Sequence, residues 1–123
     1  MQKMLIAEDD PKISDLYRMV FSTTDFEVFM AENGKKALEI LKKEKVDIVL
    51  TDSVMPEMDG FELIEALRGG EFDKNMKIIM LSNLSEKEDH DRAMKLGANG
   101  YIIKSNFNPD QLVEEVRKIV KTG

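Results

Sequence analysis

The 123-residue chain contains no cysteine, which excludes disulfides, thiolate metal sites and thiol catalysis together. It has no excess of positive charge either. Lys and Arg total 18 against 24 Asp and Glu, a formal charge of -6, so nothing in the composition draws it to nucleic acid or to an anionic membrane surface. No apolar run approaches the length that spans a bilayer, and the opening MQKMLIAEDD lacks the layout of a signal peptide. These absences lead to the expectation of a cytoplasmic protein that contacts neither nucleic acid directly nor a membrane. What is present is ordinary: 42% hydrophobic and 34% charged residues, enough for one buried core and one solvated surface. A single domain over residues 1–123 is expected, with no linker, repeat or low-complexity tract.

Short apolar runs recur at Met4 to Ala7, Val28 to Ala31, Ile48 to Leu50, Ile78 to Leu81 and Tyr101 to Ile103, with helix-like segments between them. Ile13, Leu16, Tyr17, Val20 and Phe21 fall on one helical face, as do Leu112, Val113, Val116, Ile119 and Val120. Helix starts are signalled by Asp10-Pro11 and Asn108-Pro109, and Ser85 with Glu88 matches a capping box. Gly97 suits a helix stop, and the KKEK at Lys42 to Lys45 reads as a solvated helix end. Five such units predict a doubly wound α/β fold, a parallel sheet with helices on both faces.

The stretch VDIVLTDSVMPEMDG, Val46 to Gly60, shows where chemistry belongs. A buried-looking strand ends on Asp52, and Pro56 with Asp59-Gly60 marks the loop that follows. In a parallel sheet every strand's carboxyl end lies along one edge, the place where open α/β sheets bind ligands. Glu8 and Asp9, Asp52, Ser82 and Lys104 close four different strands and become neighbours there. Three carboxylates crowded together repel unless a hard cation lies among them. With no Cys, and with the one histidine, His90, reading as a solvated helix residue, an oxygen-only site favours Mg²⁺. Lys104 and Ser82 suit the other oxygens of a phosphoryl group, as a point charge and a hydroxyl donor. Asp10 and Asp59 read as caps or turn formers, and Met55 and Met58 as gap-filling core, Met55 lying near the site.

At these residues the chain resembles the receiver domain of bacterial two-component response regulators, like the stand-alone chemotaxis regulator. LIAEDDP, DIVLTDSVMPEMDG, IIMLSN and GANGYIIKS carry the resemblance over essentially the whole length. It implies a flavodoxin-like sheet ordered 2-1-3-4-5 and a phosphorylation-activated switch rather than a turnover enzyme. Asp52 would accept a phosphoryl group from a sensor histidine kinase. Asp9 would bind Mg²⁺ directly, Glu8 would support it, and the Val54 carbonyl would be a further ligand. Ser82 would be the switch hydroxyl, Tyr101 the switch aromatic and Lys104 the phosphoryl partner. The output would leave through the face of helix 4, strand 5 and helix 5, towards a protein target or a second copy.

Two departures from the family concern the flanking loops. Ser105 follows Lys104 where the family usually has proline through a cis bond, so the loop there is either strained or follows another path. Asn83 replaces the usual small residue after Ser82, either narrowing the approach to Asp52 or adding a polar contact. Three other functions use related folds or chemistry. A haloacid-dehalogenase-type phosphatase needs a second Asp two positions after its nucleophile, where this chain has Val54. A nucleotide or flavin binder needs a glycine-rich first turn, and EDDPKI is acidic and glycine-free. The alternative retained is a pseudo-receiver, an interaction module that works without phosphorylation.

Overall fold

Side chains alternate across a strand, and here both faces are apolar. Met4 and Ile6 of the first strand join one hydrophobic cluster, and Leu5 and Ala7 join another. Ile48 and Leu50 divide from Val49 in the same way, as Ile79 and Leu81 do from Ile78 and Met80. A sheet with two apolar faces needs helices on both, which makes three layers. The computed structural model, which describes residues 1–22 and 25–122, has that arrangement.

The elements run β1 (Gln2–Ala7), α1 (Pro11–Ser22), β2 (Phe26–Ala31), α2 (Gly34–Lys43), β3 (Ile48–Thr51), α3 (Gly60–Gly69), β4 (Lys77–Ser82), α4 (Lys87–Leu96), β5 (Gly100–Ile103), a 3₁₀ turn (Lys104–Asn106) and α5 (Pro109–Thr122). The five strands pair in parallel in the order β2-β1-β3-β4-β5. This is the doubly wound sheet the alternating pattern predicts, in the flavodoxin-like order the resemblance implied. Helices α1 and α5 cover one face through Tyr17, Phe21, Leu112, Val113 and Val116. Helices α2, α3 and α4 cover the other through Ala37, Leu41, Phe61, Ile64, Leu67 and Ala93. Ile48, Val49 and Leu50 are fully buried in the central strand, and each contributes roughly 1.5–3 kcal/mol of burial.

Three expectations are refined. Strands β1, β2 and β4 extend beyond the apolar runs, because their ladders continue through half-exposed or polar residues such as Gln2, Glu27 and Lys77. Leu16 lies at the edge of the α1 stripe and is 39% exposed rather than packed on the sheet. The Ser85–Glu88 capping box does not form. Helix α4 begins after Glu86, which has no side-chain cap, so Ser85 falls one residue outside the capping position. Reciprocal capping occurs instead at Asp59 with Glu62 and at Asn108 with Gln111. Asp10 caps α1 by accepting the Lys12 N–H at 2.9 Å, and Gly97 ends α4 in the left-handed region at φ 114°.

Candidate functional site

The ladders carry on one residue past the strand ends, and this aligns the acids. Glu8 N–H donates to the Ala31 carbonyl and Asp52 N–H to the Ala7 carbonyl, each at 3.0 Å. One carboxylate oxygen from each of Glu8, Asp9 and Asp52 lies within 4.8 Å of the others. Glu8 is buried, Asp52 half-buried and Asp9 exposed. Lys104, just after β5, reaches across to this group. Its Nζ lies 2.6 Å from Glu8 Oε1 and 3.0 Å from Asp52 Oδ2, and 5.9 Å from the centre of the Tyr17 ring.

Burial and charge pull against each other here. Burial pushes the Glu8 carboxyl above its ordinary 4.5, against the lowering effect of the Lys104 hydrogen bond, and the Asp52 charge adds to the rise. Burial would lower Lys104, but its hydrogen bond to Glu8 and the charge of Asp52 outweigh that and raise it above 10.5. The Asp10 N–H donates to Glu8 Oε2 at 3.2 Å and helps fix that carboxylate. All the donors in the acidic group are oxygens, so the set fits a hard divalent cation such as Mg²⁺.

The loop after Asp52 is held at several points. The Asp52 carbonyl accepts the Thr51 hydroxyl at 2.9 Å, and the Gly60 N–H donates to the Ser53 carbonyl at 2.9 Å. A Cβ on Gly60 would lie 2.0 Å from the Asp52 carbonyl oxygen, so only glycine lets α3 begin this close to the acid. From the other side the Gly34 N–H donates to the Met58 carbonyl at 3.0 Å, and Asn33 Nδ2 donates to Glu57 Oε2 at 3.1 Å. Glu57 has a positive φ of 67°, the one such non-glycine position among the described residues.

The other residues singled out in the sequence surround this centre. Ser82 Oγ meets Ser53 Oγ at 2.5 Å and accepts the Leu84 N–H at 3.0 Å. The Tyr101 hydroxyl donates to the Leu84 carbonyl at 2.7 Å, and its ring packs edge-on against His90 at 5.5 Å. His90 is exposed on α4, as its helical setting predicts, and also touches the Tyr101 ring. The Val54 side chain is 66% exposed on the loop, Pro56 is exposed and Met55 is core. The Lys104–Ser105 bond is trans and enters the 3₁₀ turn, so the second of the two expected paths is taken. Asn83 and Ser105 line a hollow of about 250 Å³ with Tyr17, Lys104 and Phe107.

Sequence reasoning missed Ser53, Asn33 with Glu57, and Tyr17 as the neighbour of the Lys104 ammonium. Ser53 carried a faint signal, a polar residue directly after the acid at a strand end. The Asn33–Glu57 contact carried none, its partners being 24 positions apart.

Residues 4–117 match the family model described as "Response regulator receiver domain". The chain is 32% identical over 117 residues to the sporulation initiation phosphotransferase F of Bacillus subtilis, covering 95% of this chain and 92% of that protein. It is 32% identical over 120 residues to the probable transcriptional regulator ycf27 of Porphyridium aerugineum, covering 98% of this chain but 48% of that protein. The chain thus spans about half the length of several curated relatives it matches. Among solved structures, the chemotaxis response regulator CheY4 of Vibrio cholerae superposes with a TM-score of 0.89 at 29% identity, over 97% of this chain and 98% of that one.

Proposed function

The chain belongs to the response regulator receiver domain family of two-component signalling, and from that premise we propose that Asp52 is its phosphoacceptor, within one response-regulatory domain over residues 1–123. A carboxylate oxygen of Asp52 attacks the phosphorus of a phosphohistidine on a sensor histidine kinase. The P–N bond breaks and its electron pair returns to the imidazole. Mg²⁺ would be held by Glu8, Asp9, Asp52 and the Val54 carbonyl, and bound there it offsets repulsion between the acids and the incoming phosphoryl group. Lys104 supplies a cation to the transferred group, and Ser82 a hydroxyl donor. The observation that carries this reading is the convergence of three acids from two strand ends with the Lys104 ammonium placed between Glu8 and Asp52.

The phosphoryl group then acts as a switch. It adds negative charge and acceptor oxygens beside Ser82, which turns towards it, and the Tyr101 ring moves into the space released. The signal leaves through the face of α4, β5 and α5 to a protein target or a second copy, without direct nucleic-acid or membrane contact. No helix among the described residues is long and apolar enough to cross a membrane. The protein is a phosphoacceptor that assists its own phosphorylation and slow dephosphorylation in the cytoplasm, not a turnover enzyme.

The test is labelling by acetyl phosphate with and without Mg²⁺, followed by location of the acylphosphate. Labelling confined to Asp52, dependent on Mg²⁺ and lost in Asp52→Asn supports the reading. Undiminished labelling of Asp52→Asn would sink it. No labelling of the wild-type chain, with Mg²⁺ bound, would favour the interaction module that works without phosphorylation.

A further inference from the structure

The hydroxyl assigned to the phosphoryl group is already engaged. Ser82 Oγ lies 2.5 Å from Ser53 Oγ and accepts the Leu84 N–H at 3.0 Å. Ser53 is 2% exposed and Ser82 1%, so neither hydroxyl exchanges its partner for bulk water. The Ser53 backbone is fixed at both ends. Its N–H donates to Asp52 Oδ1 at 2.7 Å, and its carbonyl accepts the Gly60 N–H at 2.9 Å.

We infer that Ser53 is a positioning residue that holds Ser82 in the unphosphorylated arrangement and competes with the phosphoryl group for its hydroxyl. This rests on the assignment of Asp52 and Ser82 above. A serine hydroxyl has one hydrogen and two lone pairs. In the arrangement seen, one lone pair of Ser82 takes the Leu84 N–H, and its hydroxyl meets Ser53 and also interacts with the Tyr101 hydroxyl. Turning Ser82 to donate to a phosphoryl oxygen on Asp52 commits its one hydrogen there and carries the oxygen away from Ser53. The Ser53 hydroxyl then stays buried without its partner, and a buried unmade hydrogen bond is costly. That cost falls on the phosphorylated arrangement alone, so it raises the threshold for switching.

The same contact extends towards the surface. Leu84 donates its N–H to Ser82 and accepts the Tyr101 hydroxyl on its carbonyl at 2.7 Å. Ser53, Ser82, Leu84 and Tyr101 therefore form one continuous chain of hydrogen bonds. Holding Ser82 at its buried end also holds the Leu84 backbone to which Tyr101 is tied.

The experiment measures beryllofluoride affinity in the presence of Mg²⁺ for the wild type, Ser53→Ala, Ser82→Ala and the double variant, with Mg²⁺ affinity measured separately. Ser53→Ala is expected to bind beryllofluoride about tenfold more tightly, the scale of one relieved buried hydroxyl. Its Mg²⁺ affinity is expected to stay unchanged. In the Ser82→Ala background the same substitution is expected to change nothing, because the competing hydroxyl is already gone. Ser53→Cys, similar in volume with a weaker donor, should shift affinity in the same direction. Equal or weaker binding by Ser53→Ala, or the same gain with Ser82 absent, overturns the inference while leaving the phosphoacceptor assignment standing. Failure of the wild type to bind beryllofluoride overturns both.

Discussion

Lys104 Nζ lies 2.6 Å from Glu8 Oε1 although 96 positions separate the two residues, and their side chains are 10% and 2% exposed. The pair joins the carboxyl ends of β1 and β5 across the site. Removing one partner of so buried a pair leaves an uncompensated charge, at about 3 kcal/mol. Lys104→Met is expected to lose that much stability in urea unfolding with chelator present. The pH dependence should shift too. Glu8 already has a raised pKa, so its favourable contribution is complete below its ordinary 4.5 and is lost as pH rises through the raised value. Without Lys104 that value climbs further, and the variant's deficit should be smaller at acid pH than at neutral pH. An equal deficit at both would count against the bridge.

Both tyrosines of the chain should ionise late. Burial raises the hydroxyl pKa of Tyr17 and of Tyr101 above 10.0. A raised pKa favours the neutral form in the folded state, so this stability is present below pH 10.0 and lost as pH rises through the raised values. In an ultraviolet titration of tyrosinate, fewer than half of the rings should be charged at pH 10.0 while the protein stays folded. Tyr101→Phe, which leaves Tyr17 as the only tyrosine, separates the two.

How much of this was readable in the sequence depended on whether the signal was local. The sheet order and the layer arrangement rested on repeated apolar runs and on the resemblance, and they emerged as expected. The residues at strand ends were found because parallel strands carry their carboxyl ends to one edge, wherever those residues lie in sequence. Side-chain partners across loops were not readable. Ser53 with Ser82, and Asn33 with Glu57, meet only through the folded loops. Helix α4 shows the limit of local patterns: Ser85 and Glu88 have the spacing of a box, but the helix starts one residue too late for Ser85 to cap it.

Glu57 offers a test of strain in the loop after Asp52. Its φ of 67° costs any residue with a Cβ, and its carboxylate receives Asn33 Nδ2. Glu57→Ala and Glu57→Gly both lose that hydrogen bond, so their difference isolates the backbone. The glycine variant should be about 1 kcal/mol more stable than the alanine variant by urea unfolding. Equal stabilities would mean the loop carries no strain at this position.

Asp9 separates metal binding from folding. Its side chain is exposed, unlike that of Glu8, so neutralising it to Asn should change metal-free stability by no more than about 0.5 kcal/mol. On the proposed assignment it is also a direct ligand, one of three carboxylates within 4.8 Å. A ligand that binds only the folded state stabilises by mass action, by about 2.7 kcal/mol at one hundred times its dissociation constant. Wild-type protein should therefore gain roughly that increment from saturating Mg²⁺ and lose it on adding chelator, since the cation relieves repulsion that Lys104 only partly balances in its absence. Asp9→Asn should unfold like the wild type without Mg²⁺ and gain far less with it, because one of the charged donors is gone while Glu8 and Asp52 remain braced by Lys104. If Asp9→Asn gained the full Mg²⁺ increment, the cation would be held without Asp9 and its place in the ligand set would be wrong.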